Sequence, residues 1–271
     1  MGTRIAFIGG GNMASAIIGG LIRTGMAPRD IDVVEPWQAA RERLQADFGI
    51  VAQAEAGDFL ELATSVIWAV KPQTFQDAAA RVQAFTRNAL HISVAAGIRS
   101  DSIARWLGVQ RVIRTMPNTP ALIGKGITAM VASSAVTDAD RQHAERIVGT
   151  TGEFLWLAHE QQLDAVTALS GSGPAYVFYF LEAMAGAGVQ MGLPHAQAYR
   201  LAVATFIGSG ELARTSDEPP ETLRQRVTSK GGTTYAAITS LDASGVKDKF
   251  TQALFAAQRR ATELGDEFGK D

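Results

Sequence analysis

The chain contains no cysteine, and that absence excludes disulfides, thiolate nucleophiles and cysteine-ligated metal centres together. Histidine is scarce. His91, His143, His159 and His195 show no metal-ligand spacing and no H-E-x-x-H occurs, which disfavours a zinc hydrolase and leaves no expected metal site. His91 falls in a strand-like run and is expected to be packed, whereas His143 falls on a helix that reads as exposed. Neither sign of charge dominates: 25 Lys and Arg stand against 27 Asp and Glu, a net charge of −2. That balance carries no electrostatic footprint for nucleic acid. Long apolar runs are missing too; Tyr176 to Leu181 stops at Glu182, well short of bilayer length. No G-x-S-x-G elbow occurs, and Ser170-Gly171-Ser172-Gly173 lacks the strand-turn-helix context of one. No signal peptide precedes the first strand, which begins by Arg4, and Ala6 stands where a myristoylation motif has Ser or Thr. The expectation is a cytoplasmic protein with no membrane attachment.

What is present is a core-forming chain. Of its 271 residues 46% are hydrophobic and 19% charged, enough for one large or two ordinary domains. Short apolar runs alternate with amphipathic helices up to about residue 157. The strand candidates are 4–9, 31–35, 65–70, 90–95, 111–116, 128–131 and 154–157, with helices predicted over 13–24, 37–48, 73–85 and 138–148. That alternation predicts a mostly parallel sheet covered on both faces. After Glu160 strand patterns stop, and helices are predicted over 175–191, 195–214, 221–227, 233–241 and 246–268. Pro174, Pro194 and Pro220 lie near three of those starts, where proline is tolerated. The reading is an α/β domain over 1–160 followed by an all-α domain over 161–271. The helical half carries small residues at close spacing, Ala183, Gly186 and Gly188, then Ala204, Gly208 and Gly210. Its apolar surface must be buried on itself, on the first domain or on a second copy, and a dimer interface is expected.

The first strand runs into Ile8-Gly9-Gly10-Gly11-Asn12-Met13-Ala14, a G-x-G-x-x-A run directly before a helix. Gly9 suits the tight turn, Gly11 the close approach of backbone to a pyrophosphate, and Ala14 the packing of helix on strand. The helix N-terminus then faces the phosphates. The second strand ends in Glu35, where a carboxylate hydrogen-bonds the adenosine ribose and favours NAD over NADP. Arg41 and Arg43 on the next helix offer a partner for a 2′-phosphate, so the cofactor is read as NAD(P)H, with the preference open. Three further loops leave the carboxyl ends of strands: Ala69-Val70-Lys71-Pro72, Ala95-Ala96-Gly97 and Met116-Pro117-Asn118-Thr119-Pro120. Their apolar members suit a nicotinamide face, and Asn118 and Thr119 a carboxamide or ribose. Lys71 reads better as a solvated or phosphate-facing charge than as a base.

A second polar loop stands between two predicted helices: Thr228-Ser229-Lys230-Gly231-Gly232-Thr233-Thr234. Its glycines allow a sharp turn and close approach, and Thr233 and Thr234 open a helix whose N–H groups attract anions. A plain corner in which a threonine caps the second helix is the alternative. No His–carboxylate pair offers a strong general base. Reduction of a protonated imine, whose carbon is already electrophilic, fits that poverty better than oxidation of an alcohol.

Five stretches together carry a family likeness: Phe7 to Met13, Val70-Lys71-Pro72, Met116 to Pro120, Ser170 to Tyr176, and Ser229 to Thr234. In order and over essentially the whole chain, they resemble the pyrroline-5-carboxylate reductases. The resemblance implies a Rossmann domain followed by a helical dimerisation domain. It also implies homodimers, often assembled into decamers (pentamers of dimers), with sites completed across the dimer. The implied reaction is hydride transfer from NAD(P)H to the C=N bond of L-1-pyrroline-5-carboxylate, giving L-proline, the last step of proline biosynthesis. It places the substrate carboxylate against Ser229, Gly232 and Thr233, the Thr234 hydroxyl at the ring nitrogen as proton donor or relay, and Glu160 near the substrate. Two positions bear on the pattern: Lys230, where many members have proline, and Glu35, which departs from those members with a small polar residue there and keeps the cofactor preference open. A β-hydroxyacid dehydrogenase would share the two-part plan but needs a Gly-x-x-x-Lys-Asn helix, and Gly173 to Val177 offers none. A dinucleotide-sensing protein without catalysis would not need the Gly-Gly-Thr-Thr loop.

Overall fold

A computed structural model of the chain describes residues 3–269. Seven strands form one sheet in the order β2-β1-β3-β4-β5-β6-β7. They are β1 (Ile5–Ile8), β2 (Ile31–Val34), β3 (Ser65–Trp68), β4 (Leu90–Ser93), β5 (Val112–Met116), β6 (Gly126–Ala132) and β7 (Gly152–Trp156). Neighbours pair in parallel throughout except β5 with β6. All seven strands expected from the sequence are there, and the mostly parallel sheet follows from them. Alternation along β1 shows why both faces are covered. Ile5 and Phe7 enter one apolar cluster with α1 (Asn12–Arg23) and α5 (Asp138–Val148), while Ala6 and Ile8 enter a second with α3 (Phe75–Val82) and α4 (Ser100–Leu107). Between β2 and β3 runs α2 (Gln38–Phe48). The order turns at β1, flanked by β2 and β3, and ligands bind beyond the carboxyl ends at such a switch point.

Two elements had no counterpart in the sequence reading: α4 and α6 (Gln162–Val166). They are eight and five residues long. The Ser170 to Gly173 run falls in a π-helical turn, Thr167–Gly171, and at the start of the next helix, with no strand leading into it. His143 departs from the expected exposure. It is half-buried, its Nε2 lies 3.0 Å from the Ser65 hydroxyl, and burial first, then Arg146, lowers its pKa. The face of α5 carrying Ala144, Ile147 and Val148 is buried, and His143 lies at its margin.

His91 is fully buried, as its strand position led us to expect. Trp68 Nε1 donates to His91 Nδ1 at 3.0 Å, so His91 Nε2 carries the proton and donates to the Thr86 carbonyl, also at 3.0 Å. Burial pushes its pKa down from 6.5 to about 4. The folded state therefore binds fewer protons than the unfolded chain between those values, and stability falls as pH drops through that window. A shift of that size is worth on the order of 3 kcal/mol at full effect, at about 1.4 kcal/mol per pKa unit. Denaturant midpoints measured from pH 7 to pH 4 should fall in the wild type, with a smaller fall in His91→Gln.

By packing, the chain forms two compact units: the residues up to Ser172 together with the chain end from Ala257, and Gly173–Ala256. Packing thus assigns 161–172 and the end of the last helix to the sheet unit, whereas the sequence reading placed both in the helical half. The second unit holds α7 (Gly173–Gln190), α8 (His195–Thr215), α9 (Pro220–Arg226), α10 (Thr233–Ala243) and the first part of α11 (Val246–Phe268). Gly188 lets α7 and α8 meet, since a Cβ there would lie 2.7 Å from that of Ala198. Tyr176 and Phe180 each pack a ring edge against Phe250 at 5.6 Å between centroids. Little else is covered. Neither α9 nor α10 has a buried residue, and Phe178, Tyr179, Leu201, Ile207 and Leu212 are exposed, the last at 68%. Gly186, Gly208 and Gly210 face open space. Such an unpartnered apolar surface marks an association face. No helix among the described residues is long and apolar enough to cross a membrane, and among them no group of three or more acidic or histidine side chains is placed to hold a metal ion.

Candidate active site

The glycine-rich loop sits at the carboxyl end of β1, and the sheet ladder carries on into it. Gly9 N–H donates to the Val34 carbonyl at 2.8 Å, and Ala69 N–H to that of Ile8 at 2.8 Å. Gly9 has φ +95°, and a Cβ there would lie 2.6 Å from the Ala69 carbonyl oxygen, so only glycine fits. Gly11 is the N-cap of α1, no side chain caps that helix, and a Cβ at Gly11 would meet nothing within 4 Å. The open cradle above an uncapped helix start is what a pyrophosphate needs: free N–H donors and the positive end of the helix dipole. Ala14 is fully buried beneath it.

Beside this loop opens a cleft of about 910 Å³, within the size range of small-molecule and cofactor sites. It brings together Ile8, Gly9, Gly11, Glu35, Ala69, Val70 and Lys71 of the expected cofactor residues. Gly10 lies buried under the loop, Asn12 and Met13 begin α1, and Pro72 opens the short helical turn Pro72–Thr74. Ala95, Ala96 and Gly97 follow β4 and Asn118 and Thr119 follow β5, farther along the sheet edge and outside this cleft. Asn118 has a structural task as well: its Oδ1 accepts the Ile127 N–H at 3.0 Å.

Glu35 is nearly buried, at 8% exposure, and both of its oxygens are engaged. Oε2 accepts the Gly10 N–H at 2.7 Å and Oε1 the Trp37 N–H at 2.8 Å. Its first task is to brace the glycine-rich loop. Arg41 turns its guanidinium onto the Glu35 and Pro36 carbonyls, at 2.9 and 2.7 Å, while Arg43 lines the cleft. In Glu35→Gln one acceptor becomes a donor that faces a backbone N–H. Affinity for NADH and NADPH should then fall together, by about tenfold for a loss of roughly 1.4 kcal/mol, the low end for a hydrogen bond to a charged group. Titration with each cofactor reads this; a rise in NADPH affinity alone would show that the carboxylate works chiefly as a 2′-phosphate filter.

In the helical unit, Gly231 takes φ +78° and the chain turns into α10. Gly232 is the N-cap, in ordinary extended geometry, and no side chain caps the helix. The plain-corner alternative, with a threonine as cap, is therefore not what forms: Thr233 and Thr234 are the first two helical residues. Gly232 N–H donates to the Ser229 carbonyl at 3.0 Å, and a Cβ at Gly232 would lie 2.8 Å from Ser229 Oγ. Glycine therefore keeps the Ser229 hydroxyl and the helix start close together. Ser229 and Thr233 are exposed and Thr234 half-buried.

Glu160 lies in the sheet unit. Its Oε1 accepts the Ser100 N–H at the start of α4, at 2.8 Å, and Arg114 Nη1 at 2.9 Å. Arg114 is buried on β5, and the sequence reading passed over it. A charged residue in the apolar run Val112-Ile113-Arg114-Thr115-Met116 was the available signal, since a buried arginine demands a partner. Arg81 and Asp77, one helical turn apart on α3, also line the cleft beside the glycine-rich loop and were not anticipated.

The family model described as pyrroline-5-carboxylate reductase dimerisation matches residues 160–264, and one described as NADP oxidoreductase, coenzyme F420-dependent, matches residues 4–97. A pyrroline-5-carboxylate reductase of Pseudomonas aeruginosa is 41% identical over 269 residues, covering 98% of this chain and 98% of the relative. Among solved structures, a pyrroline-5-carboxylate reductase of Coxiella burnetii superposes with a TM-score of 0.89 at 35% identity, covering 97% of this chain and 98% of that one. The Plasmodium falciparum pyrroline carboxylate reductase with NADP bound superposes with a TM-score of 0.88 at 25% identity, covering 97% and 98%.

Proposed function

The chain belongs to the pyrroline-5-carboxylate reductase family, and we propose that its sheet unit holds the dinucleotide and that the Ser229 to Thr234 turn of its helical unit holds the substrate carboxylate. It is an NAD(P)H-dependent oxidoreductase acting on a C=N bond, and it reduces L-1-pyrroline-5-carboxylate to L-proline. One observation supports the residue assignment: α1 in the sheet unit and α10 in the helical unit each start from a glycine N-cap, Gly11 and Gly232, behind a positive-φ glycine of the same turn, Gly9 at +95° and Gly231 at +78°. A dinucleotide and a small carboxylate are the two anions to be held.

The reduced nicotinamide supplies the hydride. Ile8, Gly9, Gly10, Gly11, Asn12 and Met13 hold the pyrophosphate end, with Glu35 as brace and Ala69 to Pro72 as the adjoining wall. Ala95, Ala96, Gly97, Asn118 and Thr119 border the nicotinamide end of the sheet edge. On the substrate side, Ser229, Gly232 and Thr233 hold the carboxylate through N–H and hydroxyl donors. The Thr234 hydroxyl stands at the ring nitrogen, donating or relaying the proton that makes the imine carbon electrophilic. Glu160 borders the substrate. Orientation by these contacts provides most of the acceleration.

The protein self-associates through its helical region, in keeping with the dimerisation model that matches it and with the apolar surface of α7 and α8. The fuller assembly belongs to the proposal: a homodimer, or a decamer built from five dimers, acting in the cytoplasm. Light scattering gives the size of the assembly. The chemistry is tested with cofactor deuterated at nicotinamide C4. The label should appear in proline at the ring carbon formerly double-bonded to nitrogen; proline without it would refute the assignment.

A further inference from the structure

The end of α11 packs in the sheet unit, on the loop that follows β4. Gly97 in that loop has φ +75°, and a Cβ there would lie 3.3 Å from Leu264 Cβ and 3.4 Å from Phe268 Cδ2. The helix end thus lies directly on the loop backbone. Two residues on, Arg99 pairs with Asp266 and lies against Gly265, where a Cβ would be 3.3 Å from its Nε. Arg105 Nη2 donates to the Gly269 carbonyl at 3.3 Å, and Thr262 Oγ1 to Asp164 at 2.9 Å. From below, the loop is held by the sheet: Val94 N–H donates to the Trp68 carbonyl at 3.0 Å, and Ala95 N–H to Ser93 Oγ at 3.2 Å. The Ala95-Ala96-Gly97 loop is therefore gripped between the carboxyl edge of β4 and the last turns of the chain.

We infer that the end of α11 is a positioning clasp for the nicotinamide: Leu264, Asp266 and Phe268 set the height of the Ala95-Ala96-Gly97 backbone, and with it the face against which the reactive ring lies. This rests on the reading that this loop borders the nicotinamide. The clasp is built for placement more than for stability. The Arg99 and Asp266 side chains are each about half exposed, at 44% and 56%, an arrangement that contributes little to folding, and Phe268 is only partly buried against the cluster it joins. None of the three lines the cleft at the glycine-rich loop, so the adenine end of the cofactor has no share in them.

The test uses the full-length protein with Phe268→Ala, Asp266→Ala and the conservative Phe268→Leu, each read three ways. Calorimetry with ADP-ribose and its 2′-phosphate measures the adenine end alone, titration with NADH and NADPH adds the nicotinamide, and steady-state kinetics separates kcat from KM. The clasp predicts unchanged affinity for the ADP-ribose ligands, weaker binding of the reduced cofactors, and a turnover number lowered at least about tenfold in Phe268→Ala, because a misplacement of roughly 1 Å costs on the order of 10²-fold. Phe268→Leu should restore most of it. Unchanged turnover in both alanine variants overturns the inference, and so does a parallel loss of ADP-ribose affinity, which marks a general structural role. Ala96→Leu separates the two layers: if it abolishes turnover while the clasp variants do nothing, the clasp alone fails. If Ala96→Leu is itself harmless, the placement of the nicotinamide at this loop fails and the clasp with it.

Discussion

Thr234→Ala lowers the turnover number about 10²-fold, close to 2.7 kcal/mol on the barrier, the low end for a positioned general acid. The helix itself loses nothing by the change. Gly232, not a threonine, is the N-cap of α10, and no side-chain cap bond is present to be removed. Alanine also has the higher helix propensity. Cofactor affinity should stay the same, because the residues proposed for the cofactor lie in the sheet unit. Thr234→Ser, which keeps the hydroxyl, should recover most of the turnover. Thr233→Ala should behave differently. A carboxylate contact is made in ground state and transition state alike, so its loss raises KM for the imine and spares kcat. Stopped-flow and steady-state rates at saturating imine distinguish the two. An unchanged kcat in Thr234→Ala would remove its hydroxyl from the chemistry.

Glu160→Ala destabilises the protein by about 3 kcal/mol, the lower end for breaking a buried ion pair. Arg114 is buried, and Glu160 Oε1 is its partner at 2.9 Å as well as the acceptor for the Ser100 N–H at 2.8 Å. Removing the carboxylate strands a buried guanidinium and uncaps α4 in one step. For a chain unit of this size the expected fall in melting temperature is on the order of 6–12 °C. Glu160→Gln keeps an acceptor for Ser100 and should fall between wild type and alanine. Were Glu160 only a substrate contact, Glu160→Ala would raise KM and leave the melting temperature where it is. Both bonds fall on Oε1, so bracing and a place beside the substrate are compatible, and the melting curve measures the first.

The central strands were legible because their short apolar runs send residues alternately to two clusters, as Ile5 and Phe7 against Ala6 and Ile8 show, whereas the edge strand β7 leaves Phe154 and Leu155 exposed. Helices α1, α5, α8 and α11 were legible for the same reason at the helical period. What escaped was short or long-range. Nothing local in α4 says that the Ser100 N–H will meet a carboxylate sixty positions away. Glu35 was recognisable as the acid after β2, but not as an acceptor for Gly10 and Trp37, because that depends on how the loop closes over it. The apposition of Leu264 and Phe268 to Gly97 is likewise a product of packing between distant segments. The Gly231 to Thr234 turn was legible as a helix start. That its N-cap is a glycine without a capping side chain came only from the fold.

The central claim is reduction of the pyrroline imine with the Thr234 hydroxyl as proton donor or relay. Its most direct test follows NAD(P)H oxidation on addition of L-1-pyrroline-5-carboxylate while proline is quantified, using wild type and Thr234→Ala side by side. The account predicts one proline for each reduced cofactor consumed, with the variant slowed about 10²-fold. Cofactor oxidation that does not depend on the imine, or wild type and variant turning over at the same rate, would contradict it.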